Sequence, residues 1–99
     1  MDASEAPHQY AIRGGKAGKA RLDLLARVML PTTTQLLDCV GLIRGMKCLD
    51  VGCGGGHVAL LMASKVGPGG HVIGTDTDGE ILALAGQLQI TLRAGHVRF

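Results

Sequence analysis

The sequence predicts an α/β fold built as a doubly wound parallel sheet. Short apolar runs of strand length occur at 46–51 and 71–75, and apolar residues at helical spacing follow each run. A glycine-rich turn at 52–56 separates the first run from its helix. Alternation of strand and helix is typical of parallel strands joined by right-handed crossovers. In such sheets a ligand binds beyond the carboxyl ends of the strands.

The first part of the chain predicts a loose arm followed by two helices. Residues 1–15 are polar and lack a period, whereas a helical stripe begins after Lys16 and contains Leu22, Leu25, Ala26 and Met29. Because proline is disfavoured inside helices, we expect Pro31 to end the first helix and to begin a second, short one. The second helix would end before Gly41 and would bury Leu36, Leu37 and Val40.

The second part predicts three strands that alternate with two helices. The first strand is expected at Met46–Val51, and the helix after the glycines should stop at the Gly and Pro residues of 67–70. The second strand is expected at His71–Thr75, and Asp78 should cap the helix that follows. That helix would end at Gly95, and a third strand would begin at His96.

Composition excludes several functional classes. The chain has 99 residues, of which 46% are hydrophobic and 18% are charged, so we expect one small domain of the cytoplasm. A net charge of +2 and a basic cluster at 13–27 that lacks interleaved aromatic residues do not indicate nucleic-acid binding. No apolar run approaches the ~20 residues of a membrane span. The three cysteines lack CxxC spacing, which indicates neither a zinc site nor a disulfide framework.

The glycine loop and two nearby acids predict a site for a nucleoside cofactor. Gly52, Gly54 and Gly56 allow a ligand to approach the backbone closely. Asp76 lies 24 residues after Gly52, close to the ~20 that separates a glycine loop from a ribose-binding acid. His57 occupies the position where a dinucleotide fingerprint requires a small residue, and no Walker-type Gly-Lys-Ser/Thr follows the glycines. Asp50 would repel a pyrophosphate but suits a cofactor that carries an ammonium group.

These residues resemble the first two motifs of the class I S-adenosylmethionine-dependent methyltransferases, which have a Rossmann-like fold. The similar segments are Leu49–Gly56 and Val72–Asp76. The resemblance implies that Asp50 acts near the amino group of S-adenosylmethionine and that the loop residues Gly52, Cys53, Gly54 and Gly56 bind the cofactor. It also implies that Asp76 binds the ribose hydroxyls and that Thr77 lies near the adenine. No residue is nominated as catalytic or as a metal ligand.

The resemblance also predicts how the chain is organised. Residues 1–45 are similar to the N-terminal helical cap of small-molecule methyltransferases of the quinone-biosynthesis type, and residues 46–99 resemble the first half of a cofactor-binding domain. Family members have seven strands, whereas this sequence stops inside its third, so we expect a truncated form or a piece of a longer protein. The open edge of the first strand would then favour self-association.

Three functions agree with these features. The first is S-adenosylmethionine-dependent transfer of a methyl group to a small-molecule acceptor, which alignment and desolvation can accelerate without a dedicated catalytic residue. The second is a non-catalytic cofactor-binding or assembly module of the same fold, in which the isolated chain is inactive. The third is part of an oxidoreductase that binds NAD or FAD, against which His57 argues.

Overall fold

The computed structural model of the protein describes residues 15–99. The elements follow one another as α1 (Gly15–Cys39), β1 (Lys47–Val51), α2 (His57–Val66), β2 (His71–Thr75), α3 (Gly79–Thr91) and β3 (Val97–Arg98). The alternation of strands and helices predicted for the second part is confirmed. The loose arm predicted for 1–15 lies almost entirely outside the described residues.

The N-terminal helices differ from the prediction, because α1 is one helix of 25 residues that contains Pro31. Proline interrupts one backbone hydrogen bond and crowds the preceding turn. The apolar stripe nevertheless continues along one face of the helix on both sides of Pro31, since Leu22, Ala26, Met29 and Leu37 share that face. A single helix keeps the contacts on both sides of the proline. The predicted buried set is also corrected: Leu37 is buried, whereas Leu36 and Val40 are exposed.

The sheet is parallel, with the strand order β1-β2-β3. Register pairs Leu49 with Ile73 and Asp50 with Gly74, and it pairs Val72 with Val97. Because successive side chains of a strand point to opposite faces, each face of the sheet carries its own set of side chains. The covered face carries Cys48, Asp50, Val72, Gly74 and Val97, and the open face carries Lys47, Leu49, Val51, His71, Ile73 and Thr75.

The hydrophobic core lies between the covered face and the helices. Val72 and Val97 of the sheet pack with buried residues of α2 and α1, which are Leu37, Ala59, Met62, Ala63 and Val66. On the open face Leu49, Val51 and Ile73 are 63%, 77% and 49% exposed. Within the described residues, one edge of β1 pairs with β2 and the other edge pairs with no strand.

The turns around α2 and α3 explain where these helices stop. A side chain at Gly70 would place its Cβ only 2.6 Å from the backbone oxygen of Met46, so only glycine fits beneath α2. Oδ1 of Asp78 accepts hydrogen bonds from the N–H groups of Glu80 and Ile81, which confirms the predicted cap. The following helix ends at Thr91 rather than at Gly95, because Arg93 adopts φ 55° and turns the chain earlier.

Among residues 15–99, no helix has both the length and the apolar character that crossing a bilayer requires.

Candidate functional site

The glycine loop connects β1 to α2 and bends back toward the end of β2. Gly52, Gly54 and Gly56 have φ angles of 71°, 55° and 85°, in the left-handed region that disfavours other residues. The N–H of Cys53 donates to the carbonyl of Thr75 at 2.8 Å, so the loop is fastened to the second strand. The two sequence motifs therefore meet at the carboxyl ends of neighbouring strands, as the sequence predicts.

Asp76 holds the glycine loop in place through its carboxylate. The N–H of Gly54 donates to Oδ2 at 2.9 Å, and the N–H of Asp78 donates to Oδ1 at 2.9 Å. A carboxylate oxygen can accept more than one hydrogen bond, so both oxygens keep capacity for a further donor such as a ribose hydroxyl. Asp76 is half-buried, whereas Thr77 next to it is exposed at the surface.

Asp50 places a buried oxygen without a partner next to the loop. Its side chain lies on the covered face, and its carboxyl accepts a hydrogen bond from the backbone N–H of Ala59 in the first turn of α2. Oδ2 is buried and has no hydrogen-bond partner among the described residues. Burial, together with repulsion from Asp76, raises the pKa of Asp50, although the Ala59 bond opposes the shift. An orphaned carboxylate oxygen of this kind fits an ammonium group.

Cys53 is not an activated nucleophile. Burial raises the pKa of its thiol to about 11, and the charges of Asp50 and Asp76 add to this effect. Sγ instead donates to the carbonyl of Gly54 at 3.7 Å. The thiol is therefore protonated at neutral pH and contributes packing and backbone shape to the loop.

Gly56 is buried, and the sequence alone does not reveal its neighbour. A Cβ on Gly56 would lie 2.7 Å from the ring of Phe99, and a Cβ on Gly74 would lie equally close to that ring at 2.7 Å. The Phe99 side chain therefore packs into space that two missing side chains leave open. Contact of Gly56 with a cofactor stays a prediction, because the structure gives this glycine a packing role.

A cavity of about 310 Å³ separates α1 from the glycine loop and α2, and we name it the α1–loop cavity. Leu22 reaches the loop, since its Cδ1 lies 3.4 Å from the position of a Cβ on Gly54. The stripe predicted on the first helix thus faces the loop. The lining residues are Leu22, Leu25, Ala26, Met29, Leu30, Thr33, Gly52, Cys53, Gly54, Gly55, His57, Val58 and Leu61.

His57 joins the loop to α1. It opens α2, and its Nε2 lies 2.5 Å from Oδ1 of Asp23; both side chains are about one third exposed. The pair is separated by 34 residues, so no local pattern in the sequence could have revealed it.

The described residues contain no group of three or more His, Cys, Asp or Glu side chains that could hold a metal ion.

Comparison with known proteins identifies relatives of the second part of the chain. The family described as "Methyltransferase domain" matches residues 42–99, more than half of the chain. A stretch of 46 residues is 50% identical to Nocamycin O-methyltransferase from Saccharothrix syringae, and it covers 46% of this chain and 16% of that protein. A stretch of 50 residues is 42% identical to Protein-L-isoaspartate O-methyltransferase from Methanothrix thermoacetophila, covering 50% of this chain and 24% of that protein.

A solved structure extends the similarity to more of the fold. A SAM dependent methyltransferase from Aquifex aeolicus matches with a TM-score of 0.71 and 31% identity, over 79% of this chain and 42% of its own. The matched part of the chain therefore covers less than half the length of each of these three proteins.

Proposed function

The chain belongs to the methyltransferase domain family, and we propose that it binds S-adenosylmethionine at the glycine loop as the cofactor-binding part of a methyltransferase. One observation carries this proposal: two acids flank the loop, and they differ in their hydrogen bonding. Asp76 fixes the loop and keeps acceptor capacity, whereas Asp50 offers a buried oxygen that has no hydrogen-bond partner among the described residues. A cofactor with ribose hydroxyls and an ammonium group satisfies both acids.

Each site residue would contact a different part of the cofactor. Asp50 would balance the ammonium group, directly or through water and loop amides, because a charge-assisted bond stabilises its buried oxygen. Gly52, Cys53 and Gly54 would line the methionyl part with backbone, Gly56 would complete the loop, and Asp76 would accept bonds from the ribose hydroxyls. Thr77 would lie near the adenine.

When bound, S-adenosylmethionine supplies a methyl group on a positively charged sulfur. The chain's own contribution is to bind, to align and to exclude water, which can supply much of the acceleration of such a transfer. We propose a small-molecule acceptor. The names of both curated relatives specify methylation of oxygen, which favours oxygen as the accepting atom.

The organisation of the chain is also a proposal. We assign residues 1–45 to an N-terminal arm and helical cap, and residues 46–99 to the first half of the cofactor-binding domain. The exposed apolar residues Leu49 and Val51 on the edge strand support self-association through β1. We further propose that the protein acts in the cytoplasm.

Two other functions follow from the sequence. The first of them, a non-catalytic cofactor-binding or assembly module of the same fold, predicts cofactor binding without methyl transfer. The family match and the large His57 side chain in the fingerprint position argue against a dinucleotide-dependent oxidoreductase.

Calorimetry with S-adenosylmethionine, S-adenosylhomocysteine and NAD tests the proposal. We expect the first two to bind and NAD not to bind. Asp76→Ala should weaken binding of S-adenosylhomocysteine by about 2 to 3 kcal/mol, because it removes the ribose acceptor and the Gly54 bond. Asp78→Ala is the matched control: it removes a neighbouring carboxylate that caps α3, and it should change the affinity by less than about threefold.

Equal affinity of Asp76→Ala and the unchanged chain would refute the assigned cofactor position. Binding of NAD in place of the other two ligands would refute the proposed function itself. Binding of both adenosyl ligands without methyl transfer to any hydroxyl compound would favour the non-catalytic module.

A further inference from the structure

The α1–loop cavity has apolar walls and very few polar side chains. Its volume of about 310 Å³ is at the lower end of small-molecule sites, which commonly enclose about 300 to 1,000 Å³. Apart from backbone, the only polar side-chain atoms among its described lining residues belong to Thr33, Cys53 and His57. No Lys, Arg, Asp or Glu lines it within that part of the chain. A charged ligand would therefore be desolvated without compensation, whereas a neutral apolar ligand suits the cavity.

The hydrogen bond to Asp23 determines what His57 can offer to a ligand. An ionised carboxylate only accepts hydrogen bonds, so Nε2, which lies 2.5 Å from Oδ1 of Asp23, must carry the proton that it donates. In the neutral ring the lone pair then lies on Nδ1. No hydrogen bond of Nδ1 is found among the residues that the structure describes. His57 lines the cavity and Asp23 does not, so the imidazole ring is the member of the pair that borders the cavity.

The other two polar side chains add little that is specific. The Cys53 thiol is protonated at neutral pH, since burial raises its pKa to about 11, and it already donates to Gly54. Thr33 lies on α1 within the apolar stripe and can turn its hydroxyl to donate or accept. His57 is thus the oriented polar group of a cavity that is otherwise apolar, and it adjoins the loop of the proposed cofactor site.

We infer that the α1–loop cavity binds the methyl acceptor and that this acceptor is a neutral, mainly apolar molecule with a hydroxyl group, such as a phenol or an enol. The apolar part lies between Leu25, Ala26 and Leu61, and the hydroxyl donates to Nδ1 of His57. The inference rests on the proposed function only where it calls the bound molecule a methyl acceptor. The cavity and the His57–Asp23 pair would bind such a molecule without any cofactor.

Nuclear magnetic resonance on the full chain, with 2-naphthol and naphthalene as matched probes, tests the inference. The two probes differ only in the hydroxyl. We expect 2-naphthol to shift the methyl signals of Leu25, Ala26 and Leu61 and the Nδ1 resonance of His57, and to bind roughly fivefold more tightly than naphthalene. His57→Phe should keep the affinity for naphthalene and abolish this difference.

Three further variants separate the contribution of the cavity from that of the histidine. Ala26→Phe fills the cavity and should abolish binding of both probes, whereas Leu24→Phe, at an exposed position of α1 outside the lining, should leave binding unchanged. Asp23→Asn should reduce the preference for 2-naphthol, because an amide no longer dictates which ring nitrogen carries the proton.

Several results would overturn the inference. They are equal affinity for the two probes in the unchanged chain, shifts confined to residues outside the cavity, or tighter binding of 2-naphthoate than of 2-naphthol. S-adenosylhomocysteine binding is measured on the same samples. If that binding persists while 2-naphthol fails to bind, the acceptor site is wrong and the proposed function stands. If 2-naphthol binds as described while S-adenosylhomocysteine does not, the proposed function fails and the cavity stands.

Discussion

The two faces of the sheet belong to the same strands and share the same backbone hydrogen bonds, yet they differ in burial and in function. Val72 on the covered face is 1% exposed, while its neighbour Ile73 on the open face is 49% exposed. Asp50 and Gly74, which adjoin the glycine loop, also belong to the covered face. The site is therefore built on the side that contains the core, so changes there should affect stability and ligand binding together, whereas changes on the open face should affect mainly association.

Val72→Ala and Ile73→Ala give the largest expected contrast. Removing two methyl groups from the packed covered face should lower the free energy of unfolding by about 2 kcal/mol, because transfer and cavity effects add. The half-exposed Ile73 should lose only about 0.5 kcal/mol, mainly through weaker strand propensity. Urea denaturation of both variants at one protein concentration measures the difference.

The contrast would disappear if the open face were covered in solution. A loss at Ile73 as large as that at Val72, growing with protein concentration, would mean that another chain buries Leu49, Val51 and Ile73. Equal losses that do not depend on concentration would contradict the assignment of the two faces.

Asp50→Asn should separate stability from cofactor binding on the covered face. The folded-state pKa of Asp50 is raised, so the charged form opposes folding; the protein is more stable below the ordinary pKa of about 3.9 and loses that stability as pH rises through the raised value. We expect Asp50→Asn to be more stable than the unchanged chain at pH 7, and this difference to shrink as the pH falls toward 4.

The same substitution should weaken binding of S-adenosylhomocysteine, since the ammonium group loses its charged partner. Thermal melts and calorimetry at pH 4, 5.5 and 7 follow both effects, with Glu80→Gln as the control for loss of an exposed acid. A variant that is less stable at pH 7 would show that the carboxylate is compensated in the folded state, and unchanged affinity would remove Asp50 from the cofactor site.

The sequence predicts the second part of the molecule much better than the first. From Met46 onward glycines and a capping acid mark most ends of the strands and helices, and β2 matches its prediction at both ends, whereas α3 ends at Thr91 before the predicted Gly95. In α1 the local signal of Pro31 is misleading, because contacts along the whole helical stripe outweigh one lost hydrogen bond. The packing of Phe99 against Gly56 and Gly74 also depends on residues far apart in sequence.

The candidate site divides in the same way. Asp76 and Gly54 are predicted together, since strand order brings the ends of β1 and β2 to one edge. Asp23 and His57 are not, because their contact depends on how α1 packs against the loop. The motif spacing predicts the part of the site proposed to bind the cofactor, whereas only the packed structure reveals the α1–loop cavity.

Val51→Lys on the open edge should have the smallest effect on the fold and the clearest effect on association. Val51 is 77% exposed, so the substitution should change the stability of the monomer by less than about 0.5 kcal/mol. A lysine on an edge strand opposes pairing with another chain, so we expect a lower average mass by light scattering. Ile90→Lys is the matched control, because Ile90 is also apolar and is 71% exposed, but it lies on α3 away from the edge.

The control decides between two kinds of association. If Val51→Lys lowers the mass and Ile90→Lys does not, the chains meet at β1, where unpaired backbone groups and apolar side chains coincide. If both variants lower the mass equally, general apolar exposure or added charge drives association, and the two faces of the sheet do not differ in this respect. A monomer without either substitution would contradict self-association through β1, since Leu49 and Val51 would then be tolerated in water.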